Sequence, residues 1–160
     1  MIELSVIRDL VTIAGVVIAL GYYIINIRNQ KETRQAQLFM QIYSRWQDDS
    51  FVAKHDQFLS YEFKDLDDFL EKYGSEGLNV GRVIGRYYEG IGVLVKRGLV
   101  DISLVDDLMS GTIIRVWEQM EPIMRDWRIR DNFPQYGEFI EYLYHQVKTV
   151  FNKQHPDITP

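Results

Sequence analysis

The sequence predicts an all-α protein in which an N-terminal transmembrane helix continues into a cytoplasmic helical bundle. Residues 10–27 form a run without any charged side chain. Downstream of that run, apolar residues recur at the three- and four-residue spacing of one face of a helix. No segment shows the sustained alternation of apolar and polar residues that is typical of a half-buried strand. Together these patterns favour helices throughout.

The uncharged run has the length of a membrane span. At 1.5 Å per residue it would extend roughly 27 Å, close to the ~30 Å hydrocarbon thickness of a bilayer. It is bounded by Asp9 and Arg28, and the residues that follow are rich in Lys and Arg. The positive-inside rule then places the N-terminus outside the cell and the rest of the chain in the cytoplasm. The predicted organisation is a cell-membrane anchor at 1–29, a helical cytoplasmic domain at 30–151 and a flexible tail at 152–160.

Two other interpretations of this run remain open. A cleaved signal peptide would carry its positive charge before the apolar stretch and a small-residue cleavage site after it, and the sequence has neither pattern. A buried core helix is also consistent with the moderate hydrophobicity, because polar and small residues interrupt the run. Within the run, Gly15 and Ala19 form a small-xxx-small pair that would allow two such helices to approach closely.

Capping residues and turns divide the rest of the chain into helices. The first is predicted to run from about residue 5 to about 47, and Asp49 or Ser50 is predicted to cap the second. A short third helix, 66–73, would begin at Asp65 and end at Gly74. The later helices are predicted at 78–97, at 102–109 after an Asp101 cap and before Ser110–Gly111, at about 113–127 with a kink at Pro122, and at about 136–150.

The helix at 78–97 is the predicted centre of the bundle because two of its faces carry small or apolar residues. One face repeats apolar side chains, and a second carries Gly81, Gly85 and Gly92. Each glycine costs about 1 kcal/mol of helix propensity relative to alanine. The glycine face therefore predicts another helix lying nearly against the backbone.

Glu89 is the acidic residue of greatest interest, since it lies in the middle of this helix. Arg86 is three residues before it, and Arg125 or Arg128 could reach it from elsewhere in the bundle. The preferred interpretation is an internal ion pair with a structural role. A solvated surface pair and a functional carboxylate are the alternatives.

The sequence contains no recognisable catalytic or cofactor-binding pattern. It has no cysteine and three histidines, and no metal-ligand, phosphate-loop or nucleophile motif occurs. We therefore expect no enzyme activity, no cofactor and no metal. The net charge of −5 argues against nucleic acid as a partner.

Several runs give the chain the look of a known family. They are the polar stretch 34–38, the runs 88–92, 95–101 and 114–118, and Arg125 with a late Phe139, Tyr142 and Leu143. The chain resembles an uncharacterised family of prokaryotic proteins with one N-terminal span and a helical cytoplasmic domain. The resemblance implies the architecture described above and no activity.

The function predicted from these observations is a membrane-anchored module for protein interaction or self-assembly. The bilayer, a second copy of the chain and the subunits of a membrane complex are its expected partners. An accessory subunit of a larger membrane complex and an enzyme of unrecognised type are the alternatives. The candidate structural or interaction residues are Gly15, Ala19, Gly81, Gly85, Arg86, Glu89, Gly92 and Arg125.

Overall fold

The computed structural model of the protein describes residues 4–154 and residue 156. Within these residues the chain is all-α, as predicted, and contains no strand. Its five helices are α1 (Leu4–Trp46), α2 (Asp49–Leu59), α3 (Leu66–Lys96), α4 (Ile102–Arg130) and α5 (Glu138–Gln154). The last helix continues to Gln154, and the rest of the predicted tail, apart from Pro156, lies outside the described residues. Two compact units make up the chain, residues 1–37 and 38–160.

In the N-terminal unit, α1 exposes its apolar side chains on every face. Leu10, Val17 and Ile24 are all more than half exposed, and the most apolar stretch of the helix contains no buried residue. This helix is long and apolar enough to cross a membrane, which makes it one candidate span near the N-terminus. The orientation of the span stays a prediction.

Aspartates begin three of the helices, two of them as predicted. Asp65 accepts a hydrogen bond from the amide of Asp68 at 2.9 Å, and Asp101 accepts one from Ser103 at 2.9 Å. The prediction for α2 is wrong, because its N-cap is Asp48 rather than Asp49 or Ser50. Asp48 has an extended backbone, and its carboxylate accepts a hydrogen bond from the Phe51 amide at 3.1 Å.

Two glycines that look like helix ends in the sequence behave differently. At Gly74 the backbone leaves helical geometry (φ 54°, ψ −147°), so α3 consists of two helical segments joined at a kink. The break predicted at Ser110–Gly111 is wrong, because α4 is continuous there and also runs through Pro122. A row of buried residues on both sides of Gly111, including Val105, Met109 and Ile113, outweighs the low helix propensity of glycine.

The domain is built around α3, which packs against α2, α4 and α5 as the two-faced sequence pattern predicts. Ile84 and Tyr88 of this helix are fully buried, together with Phe58 of α2 and Leu143 of α5. The Tyr88 hydroxyl accepts a hydrogen bond from Trp46 Nε1 at 3.2 Å. The fixed position of α3 at the centre determines where the surrounding helices touch it and where they leave space.

Candidate functional site

A cavity of about 500 Å³ opens between α3, α4 and the loop that joins α4 to α5. This volume falls within the ~300–1,000 Å³ typical of small-molecule pockets. Apolar side chains from several elements form most of its wall, among them Phe58, Phe69, Met120, Ile123, Met124 and Trp127. Polar groups line it as well, and they include two arginines. We call this space the Arg82–Arg86 cavity.

Two residues of the glycine face help to create the cavity because they place no side chain in it. Gly81 and Gly85 both line the space. A Cβ atom added at Gly85 would meet the sulfur of Met120 at 3.4 Å, and one added at Gly81 would meet the Phe58 ring at 3.4 Å. The neighbours here are side chains, which differs from the backbone contact that the sequence predicts. The glycines at this end therefore admit side chains of α2 and α4 beside the cavity, rather than the backbone of another helix.

The close approach predicted from the glycine pattern is present at Gly92. A Cβ atom there would collide with the carbonyl group of Phe139, at the start of α5. Gly92 is buried, so no neighbouring solvent space could accept the extra atom. The N-terminal end of α5 thus lies directly against the backbone of α3, and it closes the glycine face at this end.

Glu89 holds the same end of α5 by hydrogen bonds. Its two carboxylate oxygens accept from the backbone amides of Ile140 at 2.8 Å and Phe139 at 3.3 Å. The first turn of a helix has amides without an intrahelical acceptor and a partial positive charge, so a carboxylate is well placed there. The side chain is half-buried, and it binds the start of α5 within the bundle.

The arginine partner predicted for Glu89 is wrong. Arg86 and Arg125 are exposed, and neither forms an ion pair with a residue that the structure describes. Arg128 instead binds Glu141 at 2.6 Å and the carbonyl oxygen of Tyr136 at 2.8 Å. The helix end satisfies Glu89 without a cation, which sets Arg86 free of that carboxylate.

Two guanidinium groups lie on the wall of the cavity without a partner. Arg82 and Arg86 are one helical turn apart on α3, and both are exposed. Within the described part of the chain, neither donates a hydrogen bond or forms an ion pair. The domain as a whole is acidic, since residues 35–160 contain 14 Lys or Arg and 20 Asp or Glu. Unpaired arginines in an acidic domain are available to bind an anion.

The two acids that line the cavity are already engaged. Glu89 binds the amides of α5, and Glu138 forms an ion pair with Lys96 at 2.8 Å. Glu138 is thus paired with a cation, and Glu89 with the partial positive charge of a helix terminus. Of the charged side chains that line the cavity, only the two arginines have no partner among the described residues.

The loop 131–137 forms the wall that the sequence did not reveal. Asn132 and Gly137 both have positive φ angles, 49° and 68°. The loop places Phe133, half exposed, and Tyr136 on the lining of the cavity. Its proline and turn residues indicated only a break between helices. A large aromatic residue in such a loop was the one available signal of a binding surface.

A second cavity, of about 450 Å³, lies beside His55 of α2 and is also lined by Asp56 and Arg115. His55 is 6% exposed, and its Nε2 atom has no hydrogen-bond partner among the described residues. Burial lowers the pKa of this imidazole, and the nearby Asp56 carboxylate partly opposes the shift. No group of three or more His, Cys, Asp or Glu that could hold a metal ion occurs among the residues described.

The remaining sequence candidates lie in the N-terminal unit. Gly15 and Ala19 are exposed on α1, and a Cβ atom at Gly15 would meet nothing within 4 Å. Association through this pair stays a prediction.

Comparison with known proteins finds one domain family. The family described as a domain of unknown function, DUF4760, matches residues 9–147, which includes α1 from Asp9 and most of the helical domain. The match confirms the resemblance to an uncharacterised family. No curated protein and no solved structure matches the chain.

Proposed function

The chain belongs to the DUF4760 family, whose function is unknown, and we propose that it is a membrane-anchored interaction module. In this proposal α1 anchors the protein, the helical domain is cytoplasmic, and the domain binds a second molecule in the Arg82–Arg86 cavity without catalysing a reaction. The observation that carries the proposal is the cavity itself, with its apolar wall and two unpaired arginines.

The composition of the cavity supports recognition. Ligand sites are mostly apolar, and a small number of polar groups fix the orientation of the ligand. Here the apolar wall would contribute affinity, and Arg82 and Arg86 would select for negative charge. The Glu89 carboxylate is occupied by the amides of α5. It therefore supports the position of α5 rather than offering a free base.

The apolar surface of α1 supports the anchor. Side chains that remain exposed on all faces of a helix would be covered by lipid in a bilayer. The basic residues just after the apolar run favour a cytoplasmic domain. Because the chain has no cysteine, a single cysteine at exposed Ser75 would report the orientation. Labelling of that cysteine by an impermeant reagent in intact cells would contradict the proposed topology.

Assembly through the membrane helix is a second candidate function. It is favoured by Gly15 and Ala19, which lie one turn apart on an exposed face of α1 and would permit close contact with another helix. The other helix could belong to a second copy or to a subunit of a larger membrane complex. Substitution of Ala19 by leucine should then abolish the association without affecting the helical domain.

The proposed function can be tested by native mass spectrometry of the full chain purified from carbonate-washed membranes. Three proteins are compared, the natural chain, Gly85→Leu and Gly90→Leu. The leucine at position 85 would project into the cavity, whereas Gly90 is exposed with nothing within 4 Å of its Cβ position. Gly90→Leu is therefore a matched control for the same substitution on the same helix.

We expect a stoichiometric bound molecule in the natural chain and in Gly90→Leu, and its loss in Gly85→Leu. Retention of the same molecule by all three proteins would contradict binding in the cavity. The full chain in the carbonate-soluble fraction would contradict the anchor.

A further inference from the structure

We propose that the molecule bound in the Arg82–Arg86 cavity is a single-chain amphiphile with a carboxylate headgroup, the chemical class of long-chain fatty acids. This inference rests on the proposed function and specifies its ligand. It follows from two features of the cavity, namely its mostly apolar wall and the two arginines on its lining.

The wall suits a flexible hydrocarbon chain. Phe69, Met120 and Met124 line the cavity, and each is at least nine-tenths buried in the bundle. Methionine side chains are unbranched and polarizable, so they adapt to ligands of irregular shape. Gly81 and Gly85 lie on the same lining and add no side chain to it. An alkyl chain could lie against the apolar part of this wall.

The charges favour a headgroup with one negative charge. Arg82 and Arg86 are spaced by one turn, so both guanidinium groups can donate to the same carboxylate. Glu89 and Glu138 lie on the same lining, where Glu89 binds two backbone amides and Glu138 binds Lys96. Their negative charge still disfavours a phosphate with two negative charges more than a carboxylate with one. A neutral headgroup would leave both arginines without a partner.

A peptide segment fits the cavity less well than an amphiphile does. Any peptide carries backbone N–H and C=O groups, which must find hydrogen-bond partners when they are buried. Most of the lining consists of aromatic, methionine and isoleucine side chains, which offer them few. A fatty acid has all of its polar atoms at one end, where the arginines are. In the proposed setting, the anchor would also keep the domain beside the bilayer, in which such amphiphiles accumulate.

The inference can be tested by quenching of tryptophan fluorescence in the full chain, held in nanodiscs of zwitterionic phosphatidylcholine. The probe is 9,10-dibromostearate, whose bromine atoms quench a tryptophan that they contact. Trp127 lines the cavity and serves as the reporter. The test variant replaces both arginines of the cavity, Arg82→Gln with Arg86→Gln, and we call it the rim variant. The control is Arg97→Gln with Arg125→Gln, which removes the same charge from two exposed arginines away from the cavity.

We expect saturable quenching at one probe per chain in the natural protein and in the control. Loss of charged hydrogen bonds should weaken binding at least about tenfold in the rim variant. Gly85→Leu should not bind, while Gly90→Leu should bind normally. Circular dichroism of each variant checks that its helices are intact.

Two further probes separate the headgroups. Dibromostearyl alcohol, which is uncharged, and a brominated lysophosphatidic acid should each bind more weakly than dibromostearate. If the alcohol binds as tightly as dibromostearate, the arginines do not select for negative charge. If the lysophosphatidic acid binds more tightly than dibromostearate, the headgroup of the ligand is not a carboxylate.

Quenching that does not saturate, or that is equal in Gly85→Leu, would overturn the inference as a whole. If the mass spectrometry described above still finds a protein subunit whose binding depends on the cavity, the proposed function survives and the ligand is a peptide. If neither experiment depends on the cavity, both proposals fail.

Discussion

The two ends of the glycine face on α3 have similar sequences and different surroundings. At Gly92 the start of α5 lies against the helix backbone, and a single added carbon would collide with the carbonyl group of Phe139. At Gly85 the neighbours are methionine side chains, and the glycine borders a cavity of about 500 Å³. We call these the closed end and the open end.

Small residues on one helix can therefore serve two purposes. At the closed end, glycine allows two helices to approach until their backbones touch. At the open end, glycine accommodates methionine side chains and borders a cavity. Glu89 lies between the two ends and holds α5 at the closed one. The consequences of substitution should therefore depend strongly on position along one helix.

The largest effect is expected for Gly92→Ala. The new methyl group would overlap backbone atoms that cannot rotate away, and overpacking of this kind typically costs ~1–3 kcal/mol. The matched control is Gly90→Ala on the exposed side of the same helix, which should gain up to about 1 kcal/mol from helix propensity. Chemical denaturation of the full chain measures both. If Gly92→Ala is as stable as Gly90→Ala, the start of α5 does not lie against the backbone of α3 at Gly92.

Replacement of Glu89 should have the next largest effect. Alanine leaves two amides at the start of α5 without their acceptor, and loss of a helix cap costs ~0.5–2 kcal/mol. Glutamine keeps one acceptor and should lose about half as much. Hydrogen exchange of the Phe139 and Ile140 amides should accelerate in both variants.

The same substitution also tests the ion pair that the sequence suggested. A double-mutant cycle of Glu89→Ala with Arg86→Ala should give a coupling energy near zero, because Arg86 does not bind Glu89 in the structure. A coupling energy above about 1 kcal/mol would show that Arg86 does interact with Glu89.

Gly85→Ala should change the free energy of unfolding slightly, and in the stabilising direction, unlike Gly92→Ala. Its methyl group would make an ordinary contact with Met120, at 3.4 Å, and the helix would gain up to about 1 kcal/mol in propensity. We expect the denaturation midpoint to equal or exceed that of the natural protein. A loss as large as that of Gly92→Ala would mean that both ends are closed.

The smallest effect concerns His55, which lines the second cavity and provides a reference for the glycine face. Its pKa is lowered by burial, with the Asp56 carboxylate opposing and Arg115 reinforcing the shift. The unfolded chain therefore binds a proton more readily than the folded one. Stability should be unaffected well above the ordinary histidine pKa of about 6.5 and should fall as the pH drops below it.

Substitution of His55 by glutamine should remove this part of the pH dependence, measured as the thermal midpoint between pH 8 and pH 5. Gly85→Leu should keep it, because the open end is a separate site. A pH dependence that is unchanged in His55→Gln would assign it to other groups.

The sequence predicts much of the fold because the relevant signals are local. The continuous α1, the caps at Asp65 and Asp101 and the central position of α3 all follow from spacing along the chain. The binding partner of Glu89 could not be found in this way, because the amides of Phe139 and Ile140 are about 50 residues distant in sequence. Arginines nearby in sequence were the natural candidates, and the end of another helix took their place.

The cavity was hidden from sequence analysis for a related reason. It exists only where the loop 131–137 meets the open end of α3, and nothing local marks that meeting. The continuity of α4 through Gly111 is likewise a tertiary effect, since the buried residues around it outweigh the glycine. Arg86 illustrates the limit best, because it was selected as a partner for Glu89 and is instead a free group at the cavity.

The difference between the open end and the closed end is tested most directly by the thermal unfolding of Gly85→Leu beside that of Gly92→Leu in the full chain. The two variants carry the same substitution on the same helix, seven residues apart, and they differ only in which end of the glycine face they fill. Gly85→Leu should unfold much closer to the natural protein than Gly92→Leu does, because position 85 borders the cavity and its neighbours are methionine side chains rather than backbone. Gly92→Leu should lose the cooperative transition or unfold far lower, because α5 is displaced. Equal destabilisation of the two variants would show that the two ends of the glycine face do not differ in this way.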